Sequence, residues 1–210
     1  MLSYLFSSPI AFVLSLIGMV VAITIHEFAH AKTADMLGDP TPRLQGRITL
    51  DPRAHLDLYG TLLLIIIGFG WGKPVQFDPF NLKNPRKDAA IISIAGPIAN
   101  ILLATLLSII LRLFIFFDAP IVSVLGQILF TPMILVNLML AVFNMIPVHP
   151  LDGFKIVGGL LSREQARSWY QLERYGFVFL LMLIVPFGGQ SMVSGILNPI
   201  LDFLSMIFLP

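Results

Sequence analysis

Apolar residues in this chain run in long unbroken stretches rather than in the short alternations of a water-soluble domain. Five stretches reach the ~20 residues that a membrane-crossing helix needs, over about 9–37, 89–117, 121–146, 166–187 and 191–209. A sixth run, Gly60 to Gly72, holds only Thr61 to Phe69 as continuous apolar sequence. That is too short to cross, so the pattern predicts a re-entrant segment that dips in and turns back. Pro147 and Pro150 remove two backbone donors and disfavour helix just before them. Asn144 to Asp152 is therefore expected to be extended, which at membrane depth is tolerated only where the backbone lines a cavity. The segment from Lys155 to Tyr175, with Arg163, Glu164, Arg167, Trp169, Glu173 and Arg174, reads as an interfacial helix. The last two spans contain Pro186, Gly188, Gly189 and Gly195, breakers that suit a lateral gate. The expected fold class is an all-α polytopic membrane protein of about five to six transmembrane helices in a single domain over 1–210. Its core would lie in 9–153, with accessory C-terminal helices in 154–210.

Composition fixes the solvent. With 57% hydrophobic and 12% charged residues and a mean hydropathy of +0.88, the chain is too apolar for a soluble domain of its length. The N-terminus lacks the basic region of a secretory signal, so the first stretch is expected to stay as a span. A net charge of +1 and the lack of a basic patch interleaved with aromatics give no sign of nucleic-acid binding. The chain has no Cys, which excludes disulfides and thiolate ligands.

Charge also orients the chain. If Gly60 to Gly72 re-enters, Lys32, Arg43, Arg47, Arg53, Lys73, Lys83, Arg86 and Lys87 share one side with Lys155, Arg163, Arg167 and Arg174. Twelve of the thirteen basic residues are then cytosolic, and only Arg112 is not. This arrangement puts the N-terminus outside and the C-terminus inside a cell membrane.

Against that apolar background, His26, Glu27 and His30 stand out in the first span. Ionisable groups at membrane depth cost roughly 2.5 to 3.5 kcal/mol each on insertion scales, so they mark a site or a polar helix contact. The HExxH spacing sets two imidazoles one helical turn apart with a carboxylate beside them. At 1.5 Å per residue, His26 lies roughly 24 Å along a helix starting near Ile10, submerged but close to the cytosolic face. Asn144 to Asp152 reaches the same depth from another span. With two His available, Asp152 is the natural third ligand of a zinc site, one ion per chain, that keeps a fourth position open. Capping a helix that starts near Gly153 is the alternative role for Asp152. Glu27 is placed to take a proton from water. As a structural ion-pair partner it lacks a base, since no Lys or Arg precedes Lys32 on that helix.

HExxH in a membrane helix, followed far downstream by Asn144-x-x-Pro147-x-x-x-Leu151-Asp152-Gly153, resembles the site-2 protease family of intramembrane zinc metallopeptidases. Asp51 to Asp57, Gly70 to Val75 and Ala95 to Asn100 resemble its compact prokaryotic branch, and too few residues separate Gly72 from Ala89 for an inserted PDZ domain. The resemblance implies His26, His30 and Asp152 as zinc ligands, Glu27 as general base, and Asn144 as a contact to substrate. It further implies short β-strands near the active site, over Thr41 to Leu50 and Lys73 to Phe77, that pair with an unwound substrate helix. Transmembrane protein substrates would be the partners, within membrane lipid, together with a homo-oligomeric or regulatory membrane partner as a further candidate.

A metal or proton-coupled transporter using the same His and Asp is the rival class, and an inactive binding member of the fold is a third. Transport would spread ligands over both halves of the bilayer, whereas these cluster at one depth. Asn100 is a further candidate for substrate binding, beside its default role with Gly96 in helix packing. His149 could be an alternative ligand, an acid for the leaving amine, or a cavity-lining imidazole. His55 reads as part of a helix cap, and Arg112 as a snorkelling residue.

Overall fold

The computed structural model describes residues 8–67, 70–117, 120–187 and 190–210. The chain is mostly helical, as expected. Three helices are long and apolar enough to cross a membrane: α1 (Pro9–Met36), α4 (Pro85–Phe116) and α5 (Pro120–Asn144). Each begins at a proline, whose missing N–H is one that a first turn leaves unpaired anyway. They match the first three expected spans.

Of the two later spans, 166–187 does not hold as drawn. Region 166–187 is divided between α7 (Arg163–Tyr170), a 3-10 turn (Gln171–Tyr175) and α8 (Gly176–Ile184). The physical cause is local. Ser162 and Gln165 form a capping box that starts α7 as a short polar helix. The apolar remainder has only 9 residues, about 14 Å of helix. The last apolar helix, α9 (Met192–Phe208), has 17 residues and contains Pro199. Between α8 and α9, Pro186–Phe187 (β1) pairs with Gln190–Ser191 (β2). Gly188 and Gly189, named above as gate candidates, lie outside the described residues.

Polar residues share the bundle interior with apolar ones, while its exterior is apolar, unlike that of a soluble protein. Thr24, His26, His30, Ser93, Asn100, Ser108 and Asn137 are buried, while Ile101, Leu102, Ile109 and Leu113 of α4 are exposed. Lipid solvates the apolar exterior, so association depends on close packing and interhelical hydrogen bonds. A Cβ on Gly18 of α1 would stand 3.3 Å from the Met133 backbone of α5. Ala104, Leu107 and Leu111 of α4 pack on Ile134 and Leu138 of α5.

Helix α1 stops at a Schellman motif, in which Gly38 takes a φ of +106° while its N–H and that of Asp39 return to the carbonyls of Asp35 and Ala34. Asp39 is fully buried and accepts four hydrogen bonds, from the amide and hydroxyl of Thr41, the Asp78 amide and the Asn81 side chain. It ties the end of the HExxH helix to the approach to α4. These bonds also set the backbone beyond Asp39, where Thr41–Leu44 is a short helix (α2) rather than the expected strand. Lys73 to Phe77 forms no strand either; an isolated antiparallel bridge, Leu56 with Gly72, precedes it.

The short apolar run contains α3 (Leu58–Ile67), after which the chain returns alongside its own start. A Cβ on Gly60 would collide with the Trp71 backbone, and one on Gly70 would meet Leu64 Cβ at 2.7 Å. Residues 68 and 69 of this run lie outside the described residues.

The C-terminus differs from expectation. Arg112 donates to the carbonyls of Ile207 and Leu209 at 2.8 and 3.0 Å, and Ser108 to that of Phe208. These bonds satisfy the unpaired carbonyls at the end of α9. They hold the C-terminus at the end of the bundle where α1 begins and α4 ends, away from the histidines. Arg112 is thus an interhelical clamp rather than a free snorkelling side chain.

The carboxyl of Asp39 is buried, which works to raise its pKa, but the bonds from Thr41, Asn81 and Asp78 hold it below the ordinary carboxylate value. Its stabilisation is present above the unfolded pKa of about 3.9 and is lost as pH falls through the lower folded value. Asp39→Asn is expected to lower the melting temperature at pH 7, with the gap to wild type closing below about pH 4. Thermal scans in detergent across pH 3 to 7 measure this.

Candidate metal centre

Helices α1 and α4 run antiparallel, and their contact sets both imidazoles. His26 Nδ1 lies 2.7 Å from Asn100 Oδ1, and His30 Nδ1 lies 2.7 Å from the Ile92 carbonyl. The Asn100 amide is oriented by its other contacts, because its Nδ2 donates to the Ala22 carbonyl at 3.0 Å and to Asn137 Oδ1 at 2.8 Å. Asn137 in turn donates to the Met133 carbonyl. Asn100 Oδ1 and Ile92 O can only accept, so each histidine carries its proton on Nδ1. Both Nε2 atoms therefore present lone pairs, and these point at each other across 3.0 Å.

Asp152 completes the cluster. It is the first residue of α6 (Asp152–Leu160), whose N-cap is Leu151, and it makes no capping bond. Its Oδ2 lies 3.1 Å from His26 Nε2 and 3.3 Å from His30 Nε2 and has no hydrogen-bond donor, although it is buried. Gly153 allows the turn, since a Cβ there would run into the carbonyls of Met145 and Ile146. Gly158 and Gly159 let α6 lie flat, with Gly159 against Ala90 of α4 and Gly158 against the Tyr170 ring.

Three acceptors facing one another without a hydrogen between them repel unless a cation neutralises them. A tetrahedral zinc with bonds of ~2.0 Å has ligand–ligand edges of roughly 3.3 Å, close to the separations found. The donor set, two neutral imidazoles and one carboxylate, is one that catalytic zinc uses. The residues present fit the ion. Among the described residues, His26, His30 and Asp152 are the one His/Asp/Glu group whose ligand atoms lie within 4.8 Å of one another.

Gly96 makes room for the pair. A Cβ there would stand 2.6 Å from His26 Cε1 and from His30 Nε2. One residue on, Pro97 lacks the N–H that would bond the Ser93 carbonyl, in the same turn where Ile92 accepts from His30.

Glu27 Oε2 accepts from the Val75 amide at 2.9 Å and lies 3.8 Å from Arg47 Nη2. A base therefore does face Glu27, but it comes from the loop after α2 rather than from α1. Asn100, a candidate substrate contact, is fully buried with both amide hydrogens committed, and its Oδ1 meets His26 Nδ1. Asn144 ends α5, half-buried, with its amide donating to the Leu140 carbonyl. His149 lies outside the cluster, edge-on to Phe154 and 3.7 Å from Glu173. His55 follows the 3-10 turn Pro52–Ala54 that Asp51 caps, and donates to the Thr49 carbonyl.

Sequence reasoning missed Arg47 and Asn137 and undervalued Gly96. Asn137 did carry a signal, as a polar residue inside an apolar span. Nothing local marks Arg47, whose carbonyl and carboxylate partners lie 20 to 27 residues away in the chain.

An HExxH helix and a distant Asp converging inside a bundle of apolar helices define a multi-pass membrane zinc metallopeptidase. The chain belongs to Peptidase family M50, whose family model matches residues 14–128 and 122–185. It is 37% identical over 201 residues to "Putative zinc metalloprotease YwhC" of Bacillus subtilis (strain 168), covering 92% of each chain. It is 34% identical to "Putative zinc metalloprotease Rip2" of Mycobacterium tuberculosis (strain ATCC 25618 / H37Rv) over 182 residues, 83% of this chain and 67% of that one. Its identity to the Rip2 of Mycolicibacterium smegmatis is 30% over 187 residues, with the same shares covered. No solved structure matches the chain. These relatives bear metalloprotease names and lend the transporter reading no support.

Replacing Gly96 by Ala pushes a methyl group into the imidazole pair, and Asn100→Ala releases His26. Each change is expected to weaken zinc binding by about 10- to 100-fold while the helices still assemble. Competition with a chromophoric chelator on the purified protein measures it.

Proposed function

We propose that this chain is an intramembrane zinc endopeptidase that hydrolyses peptide bonds in or near the transmembrane segments of membrane-protein substrates. In this reading His26, His30 and Asp152 hold one zinc ion and Glu27 is the general base. The observation that carries it is the convergence of the two Nε2 atoms and an unpartnered Asp152 Oδ2 on the helix that bears Glu27.

Zinc, when bound, supplies Lewis acidity toward the scissile carbonyl and lowers the pKa of water at the site. Glu27 accepts a proton from the attacking water as the new C–O bond forms, then delivers it to the amine as the C–N bond breaks. The Val75 amide holds one Glu27 oxygen and leaves the other for the proton. Asn100 and the Ile92 carbonyl keep both imidazoles in the tautomer that offers Nε2 to the metal. Asn144, at the mouth of the Asp152 loop, contacts the substrate backbone, and Lys73 to Phe77 pairs with an unwound stretch of substrate.

The charge pattern and the hairpin at Gly60 and Gly70 support a topology in which α1, α4 and α5 cross the membrane and α3 is re-entrant. The zinc site then lies near the cytosolic face, where water can reach it, with the N-terminus outside. Because α9 ends beside Arg112, at the outer end of α4, α9 is a fourth crossing that returns the chain from the cytosolic side, and the C-terminus belongs on that outer side too.

Zinc content and cleavage of a panel of single-span substrates test the assignment. Glu27→Gln is expected to keep zinc and lose cleavage by at least about 10³-fold. Asp152→Ala is expected to lose both. Cleavage that survives Glu27→Gln sinks the mechanism.

A further inference from the structure

Arg47 is 4% exposed, and its guanidinium is committed chiefly to backbone. Nη1 donates to the Pro74 carbonyl at 3.1 Å and Nη2 to that of Lys73. Nη2 also lies 3.5 Å from His55 Nδ1 and 3.8 Å from Glu27 Oε2. His55 is fully buried and donates from Nε2 to the Thr49 carbonyl at 2.8 Å, so its Nδ1 is left as an acceptor facing Arg47. The His55 carbonyl accepts from the Lys73 amide at 2.8 Å. Two residues on, the Val75 amide donates to Glu27 Oε2.

One guanidinium therefore grips two successive carbonyls of the segment whose next amide holds Glu27. An apolar side chain could fill the same space, and a buried cation is costly unless it is paired and hydrogen-bonded. The planar fork of arginine suits two carbonyls and a carboxylate at once, which a lysine does not. Neighbouring packing enforces the same placement: a Cβ on Gly72 would meet Ile23 of α1 at 2.7 Å and the His55 carbonyl at 3.0 Å.

We propose that Arg47 is a positioning residue for hydrolysis: it seats residues 73–75 against α1 so that the Val75 amide orients the Glu27 carboxylate. The inference rests on the reading of Glu27 as general base. It couples the segment expected to receive substrate to the group that moves the proton. A cavity of about 420 Å³ lined by Gln45, Arg47, Lys73, Pro74 and Gln76 opens beside the guanidinium. Once the Arg47 side chain is truncated, a small cation can enter from there.

The test uses the full chain, zinc-loaded and reconstituted, as wild type, Arg47→Met, Arg47→Ala and Arg47→Lys. Zinc content, kcat and KM on a cleaved single-span substrate, and hydrogen–deuterium exchange over residues 70–78 and 92–104 are measured together. Arg47→Met is expected to retain zinc, to exchange faster only in 70–78, and to lose on the order of 100-fold in kcat with KM changed far less. Arg47→Lys should fall between it and wild type. Arg47→Ala should regain about tenfold in kcat with millimolar guanidinium, a rescue that Glu27→Gln cannot show. Unchanged exchange in 70–78, or kcat within about threefold of wild type in Arg47→Met, overturns the proposal. So does zinc loss or equal loosening of 92–104, which would make Arg47 a packing residue. The exchange measurement is independent of cleavage. A wild type that cuts no substrate counts against the protease reading, and unaltered exchange in 70–78 counts against Arg47 seating.

Discussion

The structure depends on a proton placed on the far side of each imidazole. Because Asn100 and the Ile92 carbonyl can only accept where they meet His26 and His30, the Nδ1 atoms donate and the Nε2 lone pairs converge. That convergence is unfavourable in a low-dielectric interior unless a cation sits within it. The requirement fixes the partners of α1: α4 must supply two acceptors one helical turn or more apart, and α6 must bring a carboxylate. Asn137 extends the demand to α5, since it receives one of the Asn100 amide hydrogens. A single chain of hydrogen bonds therefore links all three long helices to the metal centre.

Such a centre needs close approach, and glycine supplies it where a side chain would intrude. Gly96 lies against the imidazoles, Gly153 lets the chain turn under the end of α5, and Gly159 sets α6 against α4. These contacts do in the membrane what burial of apolar area does in water, because lipid already solvates the apolar faces. The buried polar groups then act as specificity elements, each satisfied by a partner on another helix.

A second layer surrounds Glu27. The loop that follows α2, the turn at His55 and the strip from Gly72 to Val75 converge on one carboxylate through backbone hydrogen bonds and the Arg47 guanidinium. The strip forms no strand, yet its amide and carbonyls are fixed. Its order comes from side chains reaching across rather than from a ladder.

Much of this was legible from residue pattern. Long apolar runs and proline-marked starts specify α1, α4 and α5, because a helix is the one way a single segment satisfies its own backbone in lipid. The HExxH spacing puts His26 and His30 on one face by helix geometry alone, and the paired prolines and Leu-Asp-Gly mark where a third ligand can arise. What the pattern could not decide were distances between elements. That α9 ends against Arg112, that Asn100 meets His26, and that Arg47 faces Glu27 all depend on side chains meeting across tens of residues. Local periodicity carries no information about such meetings, whereas the packed bundle, by bringing donors to acceptors, decides each of them.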